Sequence, residues 1–136
     1  MNSKLLLVPS AAILGAAGVA ANFMPQEIAG RLGLTGLPAG ALLVQLAAGL
    51  LIAFAVLNWM CRNQRVGGIY GKPLALANAL HFTVGAFGLG RAATGSLQSP
   101  LLWTAFVLYA LFALGFLWLV FGGAPRDVAA PAEARP

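Results

Sequence analysis

Charge is what this chain has least of. Of 136 residues, eight are Lys or Arg and three are Asp or Glu, so 8% are charged where a water-soluble domain has about 25%. With 60% of the residues hydrophobic, there is too little charge for a surface that faces water, and a lipid-facing one is implied. None of the acidic residues, Glu27, Asp127 and Glu133, falls inside an apolar run. That removes the intramembrane carboxylate on which small proton-coupled exporters depend. Cys61 is the one cysteine, which excludes an internal disulfide or a dithiol centre. His81 is the one histidine, so paired-histidine haem ligation is excluded too. One His, one Cys and no neighbouring carboxylate do not make a metal ligand set. No cofactor is expected. The net charge of +5 does not point to nucleic acid, because the basic residues are scattered at run ends and form no continuous patch.

What is present is four long apolar runs, at about 5–23, 39–61, 73–91 and 100–121. A helix crossing a ~30 Å hydrocarbon layer needs about 20 residues, and each run is near that length. In the first, Pro9 sits close to the start, where a helix tolerates it best. Ala11, Gly15, Gly18 and Asn22 share one face, and small residues there let another helix approach closely in lipid. A rival reading of this run is a cleaved signal peptide ending near Gly18-Val19-Ala20. The second run is the cleanest, with Trp59 placed for the headgroup belt. The third is the shortest and most polar. The fourth is rich in aromatics, from Trp103 to Phe121, and is expected to face mostly lipid.

Between the first two runs, Pro25 to Gly33 predicts a short helix lying along the interface. Pro25 suits its first position, Glu27 its first turn, Arg31 its last turn and Gly33 its stop. Glu27 and Arg31 form an i,i+4 pair, and Ile28 and Leu32 would dip into lipid. After the fourth run, residues 122–136 are rich in Ala and Pro and are expected to form a disordered tail. The fold class is therefore all-α: an integral membrane four-helix bundle over residues 1–121 with one interfacial helix.

Orientation follows from charge. Lys4, Arg62, Arg65, Lys72, Arg126 and Arg135 lie on one side of a four-span protein, against Arg31 and Arg91 on the other. The positive-inside rule puts both termini in the cytoplasm of a bacterial inner membrane.

The polar residues inside the runs are the candidate site. Asn78, His81, Gly85 and Gly88 share a face of the third run. An amide and an imidazole in hydrocarbon are costly without partners, so that face must look inward. Its partners would be Gln45, Asn58 or Asn22, either as plain interhelical hydrogen bonds or as a polar pathway. At the basic hinge, Arg62, Arg65 and Lys72 are placed for lipid headgroups, or for a cytoplasmic partner. Two glycine patterns are decoys. Gly67 to Lys72 lacks the spacing and the Ser or Thr of a phosphate loop. Gly88-Leu89-Gly90-Arg91-Ala92-Ala93 follows a membrane helix and not a strand.

Asn58-Trp59-Met60, Gly67 to Pro73 and Asn78 with His81 together resemble small bacterial four-helix inner-membrane proteins of the DoxX type in size and layout. The resemblance implies the same fold over residues 5–121 and an association with quinone-linked oxidation, but it brings no catalytic residue. The expectation is a structural or accessory membrane protein with no catalysis of its own. Its expected partners are lipid and either a second copy or another membrane protein. The alternative is a small oligomeric transporter or channel with its pathway beside Asn78 and His81.

Overall fold

The computed structural model describes residues 3–63, 71–95 and 100–122. They form five helices: α1 (Lys4–Phe23), α2 (Pro25–Arg31), α3 (Gly40–Met60), α4 (Gly71–Thr94) and α5 (Pro100–Phe121). No strand occurs among the described residues. All but α2 are long and apolar enough to cross a membrane, which marks an integral membrane protein. The helices alternate in direction. One end of the bundle, here the terminal end, gathers Lys4, Met60, Gly71 and Phe121. The far end gathers Phe23, Gly40, Thr94 and Pro100.

The bundle is two helix pairs, α1 packed on α3 and α4 packed on α5. Small residues bring each pair together. A Cβ added at Gly18 would lie 2.8 Å from Ile52 Cγ1 and 3.0 Å from the carbonyl oxygen of Ala48, so α3 sits directly on that glycine. At Gly85, a Cβ would lie 2.5 Å from Cε1 of Tyr109 on α5.

Where the two pairs meet, side chains fill the seam. Leu7, Leu14, Ala55, Leu74, Ala79, Phe82, Ala113 and Phe116 form one buried cluster drawn from all four long helices. Phe82 is at its centre, with ring centroids 5.0 Å from Tyr109, 4.9 Å from Phe112 and 5.6 Å from Phe116. This shared core reaches from the terminal end to about mid-height. A second cluster, Ala21, Ala29, Val44 and Ala48, joins only α1, α2 and α3 at the far end. Leu7, Ser10 and Leu14 are fully buried, so α1 is part of the core.

The α2 segment ends as its glycine predicts. Gly33 has φ 71°, in the left-handed region that favours glycine. Leu34 N–H donates to Ala29 O at 2.8 Å and Gly33 N–H to Gly30 O at 3.1 Å, the paired bonds of a Schellman ending.

Several details differ from expectation. Ile28 and Leu32 are half-buried against the second cluster, so α2 packs on α1 and α3 rather than dipping into lipid. Glu27 and Arg31 are both exposed, and no salt bridge closes between them. The third apolar run becomes the longest helix. Lys72 and Pro73 fall in its first turn, where proline's missing N–H costs nothing, and Thr94 ends it by donating to Gly90 O at 2.9 Å. The fourth long helix buries only Leu102, Ala113 and Phe116. Arg65, the rest of residues 64–70, and the tail beyond Gly122 lie outside the described residues.

Candidate functional site

Asn58 lies in the last turn of α3 and Asn78 in the second turn of α4, and both side chains are fully buried. In lipid, such amides must find partners within the protein, and these two find each other. Asn58 Nδ2 donates to Asn78 Oδ1 at 2.8 Å, and Asn78 Nδ2 donates back to Asn58 Oδ1 at 2.7 Å. The remaining amide hydrogens are also placed. Asn58 Nδ2 donates to Ser10 Oγ at 3.0 Å, and Asn78 Nδ2 to Leu74 O at 3.0 Å. Ser10 Oγ passes the chain on to Leu7 O at 3.1 Å. One closed network thus ties α1, α3 and α4 together across the seam between the pairs.

His81, one turn beyond Asn78, takes no part in it. Its half-buried ring stacks on Phe54 of α3 with centroids 4.5 Å apart and meets Phe82 edge-on at 5.2 Å. Tyr109 Oη lies 3.5 Å from Nε2, at the outer limit of a hydrogen bond. The imidazole is therefore held in an aromatic box above the amides. Gln45 joins neither group. It is exposed on α3 and has no hydrogen-bond partner among the described residues. Asn22 is likewise exposed.

Ser10 is the site residue that sequence reasoning missed. A hydroxyl in an apolar run, on the same face as Leu7 and Leu14 at helical spacing, was the available signal.

Of the hinge residues, Arg62 is half-buried. Its Nη1 donates to Trp59 O at 2.7 Å while its guanidinium lies 4.3 Å over the Trp59 ring. A cation at a helix C-terminus suits the dipole, and here it is fixed there by a cation–π contact as well. Lys72 is exposed in the first turn of α4, and Cys61 is a free, half-buried thiol packed on the main core.

Among the described residues no three His, Cys, Asp or Glu side chains come together as a metal would need. The amide network is suited to holding α1, α3 and α4 in register. No protein-family model matches the chain, and no curated protein and no solved structure matches it either. The DoxX-type resemblance therefore rests on size and layout alone.

Proposed function

We propose that this protein is a structural or accessory component of a bacterial inner membrane, with both termini cytoplasmic and no catalysis of its own. The observation that carries the reading is the Asn58–Asn78 pair. Both amides are fully buried and their hydrogens are spent on each other, on Ser10 and on Leu74. Groups engaged in this way act as interhelical fasteners and leave nothing directed at a substrate. Lipid is the partner that the basic end suggests, with Arg62 held at the end of α3 where headgroups lie. The likeness to DoxX-type proteins points the same way, to a subunit serving chemistry carried elsewhere.

Half-burial of His81 leaves one side of the imidazole open at mid-helix, and a second reading, a small oligomeric transporter or channel, takes that open side as part of a pathway. One experiment separates the two. Single cysteines at 78 and 81, in a chain whose Cys61 is Ser, are challenged with a water-soluble thiol reagent in proteoliposomes, and proton flux is measured on the unsubstituted protein. The accessory reading expects both positions to resist labelling and no flux above lipid background. Labelling at 81 together with flux that His81→Gln abolishes would replace it with the transporter reading.

A further inference from the structure

The outward face of α3 carries features that the bundle itself does not use. Leu42, Gln45, Leu46, Gly49, Ala53 and Val56 share this face, and all are exposed. Gly18 and Gly85 are each filled by the helix they pack against, and Gly115 is filled by Leu6, which a Cβ there would meet at 2.7 Å. At Gly49 on α3 and Gly88 on α4 a Cβ would meet nothing within 4 Å, and of the two only Gly49 has, one turn before it, an amide unpartnered among the described residues. A glycine inside a helix costs about 1 kcal/mol against alanine, and within this chain Gly49 returns no contact for it. Ala53, four residues on, continues the shallow groove that Gly49 opens.

Gln45, four residues before Gly49, says what covers the groove. It stands five residues into a 21-residue span, about 7 Å below the start of the helix at 1.5 Å per residue. Its amide presents two donors and an acceptor with no partner among the described residues. In hydrocarbon that condition is costly. An amide is complementary to another amide, and Asn58 and Asn78 already show the reciprocal geometry inside this chain. Two copies of a membrane protein share one orientation, so a two-fold axis along the membrane normal brings each residue near the axis opposite itself. A groove of small residues with a polar group one turn away is the arrangement by which membrane helices associate.

We propose that two copies of this chain associate through the outward faces of α3, Gln45 bonded to Gln45 of the second copy while Gly49 and Ala53 bring the two backbones together. This surface is separate from the amide network and independent of the accessory reading.

The test uses the full chain in liposomes, labelled for energy transfer and diluted with lipid. Transfer should persist on dilution beyond that of a monomeric control. Gln45→Leu should weaken association by about threefold to thirtyfold, the range of interhelical hydrogen bonds in membranes. Gly49→Leu should abolish it without destabilising the single chain, since its side chain enters open space and leucine favours the helix over glycine. In a Cys61→Ser chain, Ala53→Cys should cross-link between copies on oxidation and Val84→Cys, outward on α4, should not. A monomer at all dilutions overturns the proposal. So does a dimer indifferent to both substitutions, or one that cross-links at 84 and not at 53.

Discussion

The terminal and far halves of this bundle are made from the same four helices and held in different ways. In the terminal half, a single buried cluster takes residues from α1, α3, α4 and α5, and the Ser10–Asn58–Asn78 network crosses the seam beside it. In the far half, α1 and α3 share their cluster with α2 instead, and α4 has no counterpart there. Leu43 and Leu50 on α3 and Val84 and Phe87 on α4 are all largely exposed. Within a pair, glycines let the backbones close, and between α4 and α5 the Phe82 ring also packs among Tyr109, Phe112 and Phe116. Between pairs, contact comes from side chains that reach across: the Asn58 and Asn78 amides, Phe54 on His81 and Leu6 over Gly115. Lipid tails are as apolar as leucine, so burial of apolar area alone does little to gather membrane helices. Close packing and hydrogen bonds decide where they meet, and the seam is tight only where those are supplied.

The substitution that should break this contrast most severely is Phe82→Ala. It removes the ring at the centre of the shared cluster, where Phe82 is fully buried. The expected loss is about 3 kcal/mol, the low end for a buried Phe, because lipid removes part of the transfer term. Reversible unfolding in mixed micelles would measure it. Val44→Ala, in the far cluster, should cost much less, and equal losses would mean that both halves carry the same load.

Gly18→Leu comes next. Its side chain meets the α3 backbone at Ala48, which cannot turn aside as a flexible side chain can. Overpacking of this kind costs about 1–3 kcal/mol. Thermal unfolding in detergent should show the loss for Gly18→Leu and none for Gly49→Leu.

Asn58→Leu sharpens the contrast at the seam. It leaves Asn78 and Ser10 without their shared partner, for about 1–2 kcal/mol on the membrane scale. Adding Asn78→Leu should restore part of that stability, because both ends of the bond are then gone. A double-mutant cycle reads the coupling directly, and strict additivity would show that the amides do not act as a pair.

The smallest effect is expected at Thr83, whose Oγ1 is buried and has no partner among the described residues. Thr83→Val removes an unsatisfied hydroxyl at nearly constant shape. It should be neutral or stabilise by up to about 1 kcal/mol, visible as an unchanged or slightly raised unfolding midpoint.

The spans were legible because hydropathy and length are summed over many residues, and errors at either end matter little. The ends themselves were less so. α4 extends past its apolar run because Lys72 and Thr94 tolerate a helix terminus without being apolar. Asn58 was legible as a candidate partner of Asn78, since both are amides in greasy sequence near one hinge. Gln45 was grouped with them by chemistry alone. It lies thirteen residues from Asn58 on one helix, about 20 Å away, so the two cannot serve the same partner. Height across the bundle depends on how helices are staggered, and no spacing along a single helix contains that. Ser10 was missed for the same reason: its value comes entirely from what lies opposite.

Ser10 also bears on the order in which the protein is made. Ribosomes deliver α1 and α3 to the membrane before α4 exists, so for a time Asn58 has no Asn78. If α1 and α3 meet then as they do in the finished bundle, Ser10 Oγ already accepts one of its amide hydrogens. The first pair can therefore close with its polar residue half satisfied, and the arrival of the second pair completes the set. With Cys61→Ser in place, a nascent chain whose residues 1–63 are followed by a linker long enough to clear the ribosome should already form a disulfide between Gly15→Cys and Ala55→Cys, since a Cβ built on Gly15 would lie 3.5 Å from Ala55 Cβ in the finished bundle. If that bond forms only once α4 has emerged, the first pair has no life of its own, and Ser10 serves the completed protein alone.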